Sequence, residues 1–319
     1  MTDTPLTDAG VTGAREAAEA ARAEALLHLE KGAFAPALAA YDRALAAANA
    51  TNDPAFVDWM FVCRAAAAAE LGPSDQELVE LKCVLLRARD AATSFRAAYT
   101  AARIYEIRRN YARAASYNAR ARSLVARLSD PLLVGAAENQ AGSILAADSR
   151  FAEAAASYRR CLDLAAATRD LSPAPFSPAW RAICQDNLGY SLIALDQVSE
   201  GLPLVHEAFE TLEALGARAY SIVPLGDLCF GYLKNDRYQE ARYFGEAALE
   251  RLAEPEAAGE TASSEKNILY LLGETCHLAG DDGAARGYFD RLASLYPEFR
   301  NLRAYLEVFD FRNVINLRS

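Results

Sequence analysis

Residues 269–297 read LYLLGETCHLAGDDGAARGYFDRLASLYP, and this stretch decides the fold. Leu269, Leu272, Gly273 and Cys276 recur at the three- and four-residue spacing that lines up one face of a helix. Gly280-Asp281 breaks the run, Ala285, Phe289 and Leu292 resume it, and Pro297 stops it. The stretch therefore predicts one helix, a tight turn and a second helix. Gly273 and Ala285 are small, which lets the two helices approach while larger neighbours fill the gaps.

The same pattern returns along the chain. The small residue of the first helix falls at Ala25, Cys63, Ala102, Gly142, Gly189, Cys229 and Gly273, at intervals of 38, 39, 40, 47, 40 and 44 residues. Second helices alternate large and small residues, as in Phe34/Ala37/Tyr41/Ala44, Phe151/Ala154/Tyr158/Cys161 and Tyr238/Ala241/Gly245/Ala248. Self-similarity at one period predicts an array of stacked hairpins rather than one central core. The second repeat fits least well, in its second helix over 74–90. The interval of 47 comes from an insertion over 171–178, where Pro173, Pro175 and Pro178 predict a loop or slight hinge. The expected organisation is a disordered N-terminus over 1–13, a repeat array over 14–297 with a projecting acidic loop at 254–266, and a capping helix and tail over 298–319. Leu302, Tyr305, Leu306 and Phe309 share one face of that last helix. Phe311, Val314, Ile315 and Leu317 are too apolar for a free tail, so they fold back on the array or meet a partner; folding back is the preferred reading.

Over roughly Ala17 to Pro297 this pattern resembles the tetratricopeptide repeat (TPR) family, most closely in Leu269–Pro297 and in the Gly32–Leu45 stretch GAFAPALAAYDRAL. The period is near 40 residues, against the common TPR period of about 34. In that respect it looks like the long-repeat branch, which includes kinesin light chains and bacterial peptide-pheromone receptors. The resemblance implies an all-α, TPR-like right-handed superhelix of about seven helix-turn-helix hairpins plus a C-terminal capping helix. It also implies a concave groove lined by the first helices.

Composition narrows the function. The 319 residues are 52% hydrophobic with a net charge of −10. Residues Met1 to Gly13 include Asp3 and Asp8 with neither a basic start nor an apolar run, which argues against a secretory signal. No stretch reaches the ~20 apolar residues of a membrane helix. Cys63, Cys83, Cys161, Cys184, Cys229 and Cys276 form no Cys-x-x-Cys pair, so free thiols and a cytoplasmic location are expected. The three histidines, His28, His206 and His277, offer no two-point metal ligation; His206-Glu207 lacks a second histidine four residues on. Phosphate-loop and nucleophile-elbow motifs are absent. The sequence predicts no catalysis, no cofactor and no metal.

Charge is uneven. Between Leu81 and Asp130 eleven Lys/Arg face three Asp/Glu, a net of +8, whereas between Asp186 and Glu260 five face fourteen, a net of −9. On the groove geometry the resemblance implies, Arg64, Arg103, Ser143, Tyr190, Phe230 and Glu274 form one row and Met60, Tyr99, Asn139, Asp186 and Tyr270 its neighbour, with Arg96 one turn before Arg103. Asn187 matches the asparagine with which many long-repeat members clamp a peptide backbone. The candidate partner-binding residues are thus Arg64, Arg96, Tyr99, Arg103, Asn139, Ser143, Asn187 and Tyr190. The expected partner is a protein or peptide, with an acidic segment or C-terminal carboxylate held by the arginine forks. A regulator gated by a short peptide is the alternative. Nucleic-acid binding through 81–130 ranks third, because the chain is acidic and lacks an aromatic–basic stacking module.

Overall fold

Alanine-rich segments bounded by capping residues become helices here, and a recurring turn joins them in pairs. The computed structural model describes residues 8–72, 74–126, 128, 130–168, 176–254, 261–302, 304, 310–313 and 315–318. Fourteen α-helices are present among them: α1 (Asp8–Glu30), α2 (Phe34–Asn49), α3 (Pro54–Leu71), α4 (Asp75–Arg87), α5 (Ala91–Ile107), α6 (Tyr111–Val125), α7 (Pro131–Ala147), α8 (Phe151–Ala167), α9 (Pro178–Ala194), α10 (Val198–Ala214), α11 (Ile222–Lys234), α12 (Tyr238–Leu252), α13 (Thr261–Leu278) and α14 (Asp282–Leu295). They form seven successive helix-turn-helix pairs, and no described residue lies in a strand. The architecture is the all-α repeat fold that the periodicity predicts.

Six of the seven hairpin turns are built alike. Gly32, Arg109, Ser149, Asp196, Asp236 and Gly280 hold φ between 56° and 80°. In each case the next backbone N–H reaches back five residues, as from Asn110 to the Tyr105 carbonyl (2.8 Å) and from Asp281 to the Cys276 carbonyl (2.9 Å). This left-handed cap satisfies the last carbonyls of the first helix and reverses the chain at once. The exception is the second repeat, where Gly72 has φ 121°. Its second helix starts instead from a reciprocal cap, in which the Glu77 amide donates to Ser74 Oγ and Glu77 Oε2 accepts from the Ser74 amide, both at 3.0 Å. A different turn explains why that repeat fits the sequence pattern poorly.

The chain divides into two compact units, 1–140 and 141–319. The first has an alanine–aromatic core in which Ala25, Ala40, Tyr41, Cys63 and Ala67 meet between α1, α2 and α3. It also buries a polar relay. Asn118 Nδ2 donates to the Ala137 carbonyl and to Gln140 Oε1, and Gln140 Nε2 donates to the Tyr99 carbonyl. The second unit packs Tyr190, Ile193, Leu228, Phe230, Leu233 and Leu269 into one cluster.

The small-residue ladder has a direct steric cause in the second unit. A Cβ added at Gly142 would lie 2.5 Å from the Tyr158 ring, and one at Gly273 would lie 2.5 Å from the Phe289 ring. Gly142→Ala is therefore expected to cost ~1–3 kcal/mol through overpacking. Gly287→Ala, on exposed α14 with nothing within 4 Å, should stabilise by ~0.5–1 kcal/mol through helix propensity. Urea titration of both variants checks the opposite signs.

Three expected boundaries move. Helix α1 starts at Asp8, inside the stretch 1–13 expected to be disordered, because 8–13 continues into an alanine-rich run with no breaker strong enough to stop it. Helix α13 starts at Thr261, inside the expected loop 254–266, and runs on into the apolar stretch Ile268–Leu272. Pro178 opens α9 rather than a loop, with Ser177 Oγ accepting from the Trp180 amide at 3.2 Å, since proline needs no hydrogen-bond partner at a first helical position. Most of the proline-rich insertion, 171–175, lies outside the described residues, as do 255–260 of the expected loop, Tyr305, Leu306 and Phe309 of the expected cap, and Val314 of the tail. Leu302 packs against the main cluster of the second unit.

Candidate functional site

In the first unit the candidate arginines are engaged by carboxylates of this same chain. Arg64 on α3 bonds to Asp42 (2.6 Å) and Glu77 (2.7 Å). Arg103 on α5 forms a two-pronged pair with Glu70 (2.8 and 2.7 Å) and lies 3.4 Å from Glu106. The basic balance of 81–130 is compensated by acids that precede it in sequence: Asp58 pairs with Arg87 and Asp75 with Arg108. Arg96 differs. Its guanidinium lies 5.5 Å from the centre of the Trp59 ring, and its Nε is buried without a hydrogen-bond partner. Tyr99 stacks on Phe95 at 5.8 Å, and burial pushes its hydroxyl up to about 12. Asn139 is half-buried on α7.

In the second unit the first helices α9, α11 and α13 lie side by side and present one face. The rows read from the sequence as Asp186, Tyr190, Phe230, Tyr270 and Glu274 fall here, and residues 311–313 and 315–318 cover them. Asn316 Oδ1 accepts from the Tyr190 hydroxyl at 3.0 Å. Its Nδ2 donates to the Ala146 carbonyl (2.7 Å), the Ala147 carbonyl (3.2 Å) and Ser149 Oγ (3.0 Å), which ties down the end of α7. Leu317 is held through its backbone. Its amide donates to the Tyr190 hydroxyl at 2.9 Å, and its carbonyl accepts from Asn267 Nδ2 at 2.8 Å. The Leu317 side chain joins the core, with Phe311 and Ile315 packed beside it. The tail folds back, as preferred from its apolar residues.

Arg318 completes the contact. Its guanidinium sits 4.1 Å above the Tyr190 ring and grips Asp227 with two nitrogens, Nη1 to Oδ1 at 3.1 Å and Nη2 to Oδ2. Nη2 is also 3.7 Å from Asp186 Oδ2. Both carboxylates are buried, Asp186 at 2% and Asp227 at 1% exposure. Desolvation raises the proton affinity of both, and the charge of Asp227 raises that of Asp186 further, while Arg318 opposes the rise. Asp186 Oδ1 has no hydrogen-bond partner. Nearby, burial lifts Glu274 to about 7, with Tyr270, Arg312 and the Phe311 amide acting against the shift and Asp310 adding to it.

Of the eight candidate residues, Tyr190 is the one described here in contact with the tail, by hydrogen bonds to Asn316 and Leu317. Asn187 is half-buried on α9, its carbonyl accepting from Ser191 Oγ, and Ser143 accepts from the Tyr158 hydroxyl at 3.4 Å. A backbone contact of the kind expected of Asn187 is made by Asn267, whose Nδ2 donates to the Leu317 carbonyl. Asn267, Asp227 and Arg318 escaped the sequence reading. A signal for Asp227 existed: it is the one acid in the apolar run Ile222–Leu233, and a charge buried there requires a cation.

Other reactive groups have structural surroundings. None of the six cysteines is in a disulfide, and burial pushes the Cys63 and Cys229 thiols up, away from the thiolate. His206 bonds to the Tyr232 hydroxyl at 2.7 Å, and burial lowers its proton affinity. Asp281, in a calcium-like Asp-Asp-Gly, caps α14 by accepting from the Ala284 amide. Among the described residues no group of three or more His, Cys, Asp or Glu could hold a metal ion, and no helix is long and apolar enough to cross a membrane.

No family model matches the sequence, and no curated protein sequence matches it either. Solved structures do. The chain is similar to Rap protein complexed with competence and sporulation factor, at 11% identity over 90% of this chain and 78% of that one, with a TM-score of 0.69. It is similar to NprR in complex with its cognate peptide NprX, at 13% identity over 92% and 82%, TM-score 0.63. It is also similar to a signal transduction ATPase with a tetratricopeptide repeat sensor from Pyrococcus horikoshii, at 16% identity over 99% and 49%, TM-score 0.62. With seven helical hairpins, a recurring turn and these neighbours, the chain has the tetratricopeptide-type repeat fold.

Proposed function

We propose that the chain is a scaffold that holds a protein or peptide segment and performs no catalytic step of its own. One observation carries this reading: the face of α9, α11 and α13 grips a non-helical segment by its backbone, through Tyr190 and Asn267 on either side of Leu317. Side chains that bind backbone groups hold a peptide with little regard to its sequence, and neighbouring pockets add selectivity. The solved complex of NprR, similar in fold, contains its cognate peptide, and that of Rap, also similar, contains competence and sporulation factor. The buried thiols fit work in a reducing compartment such as the cytoplasm.

The finer expectation, an acidic segment held by Arg64, Arg96 and Arg103, has less support. Arg64 and Arg103 already have carboxylate partners, which an incoming acid would have to displace. A regulator that responds to a short peptide is favoured by a different observation, namely that the gripping face is covered by the chain's own tail. A random peptide library panned on the whole chain, and on the chain carrying Asn316→Ala and Arg318→Ala to uncover the face, tests the scaffold reading. Enrichment of a related set of peptides on either is expected; none on both overturns it.

A further inference from the structure

We propose that residues 315–318 are an internal ligand occupying the partner site of the second unit, and that a partner enters by placing its own arginine against Asp186 and Asp227. The proposal rests on the peptide-holding reading above and names the chemistry of the partner and the gate on its entry.

Three observations support it. The tail is bound as a separate peptide would be: Asn316 and Leu317 bond to Tyr190, Asn267 and the end of α7, which lie between 50 and 170 residues away along the chain. Both backbone groups of Leu317 are used, so a foreign residue in that place finds the same two partners. The charge pocket is built before any partner arrives. Asp186 and Asp227 are almost wholly buried, on two adjacent helices, and face one guanidinium. That guanidinium does not fill the pocket, because it reaches Asp186 only at 3.7 Å and Asp186 Oδ1 is left without a hydrogen bond. A guanidinium placed closer to Asp186 satisfies an acceptor that Arg318 leaves empty. Finally, the surrounding sequence is acidic, with a net of −9 over 186–260, which suits a basic segment and repels an acidic one.

The pocket also sets the manner of exchange. Departure of the tail alone takes the cation away from two neighbouring carboxylates, so the open form is sparsely populated. A partner that supplies its own cation avoids that penalty, and exchange by competition is the favoured route. A planar two-pronged guanidinium suits the pocket better than the compact ammonium of lysine.

The probe is a synthetic, fluorescently labelled peptide with the sequence of residues 313–319, Asn-Val-Ile-Asn-Leu-Arg-Ser. Its affinity is measured by anisotropy for the whole chain and for the Asn316→Ala, Arg318→Ala double variant. The double variant is expected to bind it roughly a hundredfold more tightly than the wild type, since the competing tail has been disabled. The same peptide with alanine in place of arginine should not bind, and the bound peptide should raise the unfolding temperature of the variant. Equal affinity for wild type and a folded variant, or no binding to a variant whose helix content matches wild type, overturns the proposal. Should the double variant fail to fold, Asn316→Ala alone serves: added peptide must then speed hydrogen exchange of the Leu317 amide, and an unchanged rate overturns the proposal. Peptides enriched from the library alongside no such competition would leave the scaffold reading standing and remove only this inference.

Discussion

Arg318→Ala is expected to destabilise the second unit by about 3–5 kcal/mol, the usual cost of removing one partner from a buried ion pair. The tail's neutral hydrogen bonds are each worth only ~0.5–1.5 kcal/mol, so the charge dominates. What the substitution leaves behind matters more than what it deletes: Asp186 and Asp227, 2% and 1% exposed in the wild-type chain, lose the cation between them. Their proton affinities are already raised by burial, and losing Arg318 raises them further. The sign follows. A group that holds its proton more tightly when folded favours the folded state at low pH and loses that advantage as pH rises through its folded value. The deficit of Arg318→Ala should therefore be largest at neutral pH and shrink in acid. Adding Asp227→Asn should recover much of the lost stability, because one carboxylate then has a neutral neighbour. Urea unfolding of the single and double variants at pH 5 and 8 measures all of this; a deficit independent of pH would mean that the charges are solvated.

Glu274→Gln should do the opposite. Glu274 is 1% exposed, and burial lifts it from 4.5 to about 7. The groups around it are Tyr270, Asp310, Arg312 and the backbone of Phe311. Its contribution is fully present below 4.5 and is lost as pH rises through about 7. A shift of this size corresponds to ~3 kcal/mol. Glutamine mimics the protonated acid, so Glu274→Gln should match wild type near pH 4 and exceed its stability by ~3 kcal/mol near pH 8.5. Guanidinium titration across that range checks it. Parallel pH profiles for the two proteins would show that Glu274 is ionised in the native state.

The fold was legible because its causes are local and repeated. Gly142 and Gly273 leave room for Tyr158 and Phe289, and the same steric demand recurs every forty or so residues, so the period survives in the sequence. The turns were half legible: Gly32 and Gly280 announce a left-handed residue, but Arg109, Ser149, Asp196 and Asp236 take that conformation without announcing it. The site was legible as rows and illegible as contacts. Asp186, Tyr190 and Glu274 were placed on one face by register, yet the groups that Asp186 and Tyr190 meet lie about forty to more than a hundred residues away in the chain. Net charge misled for the same reason. Arg64 and Arg103 read as an anion site in a basic window, while Asp42, Glu70 and Glu77, outside that window, hold them in space.

The account stands on one contact, the grip of α9 and α13 on the backbone of Leu317, and hydrogen exchange at that amide tests it most directly. The Leu317 N–H donates to the buried Tyr190 hydroxyl, and the Arg318 N–H to Asn316 Oδ1. Both should exchange orders of magnitude more slowly than an unstructured peptide, and Tyr190→Phe, which removes the acceptor, should release Leu317 while α9 stays protected. Exchange of both amides at unstructured-peptide rates in the wild-type chain would mean that the tail does not occupy this face, and would contradict the account at its centre.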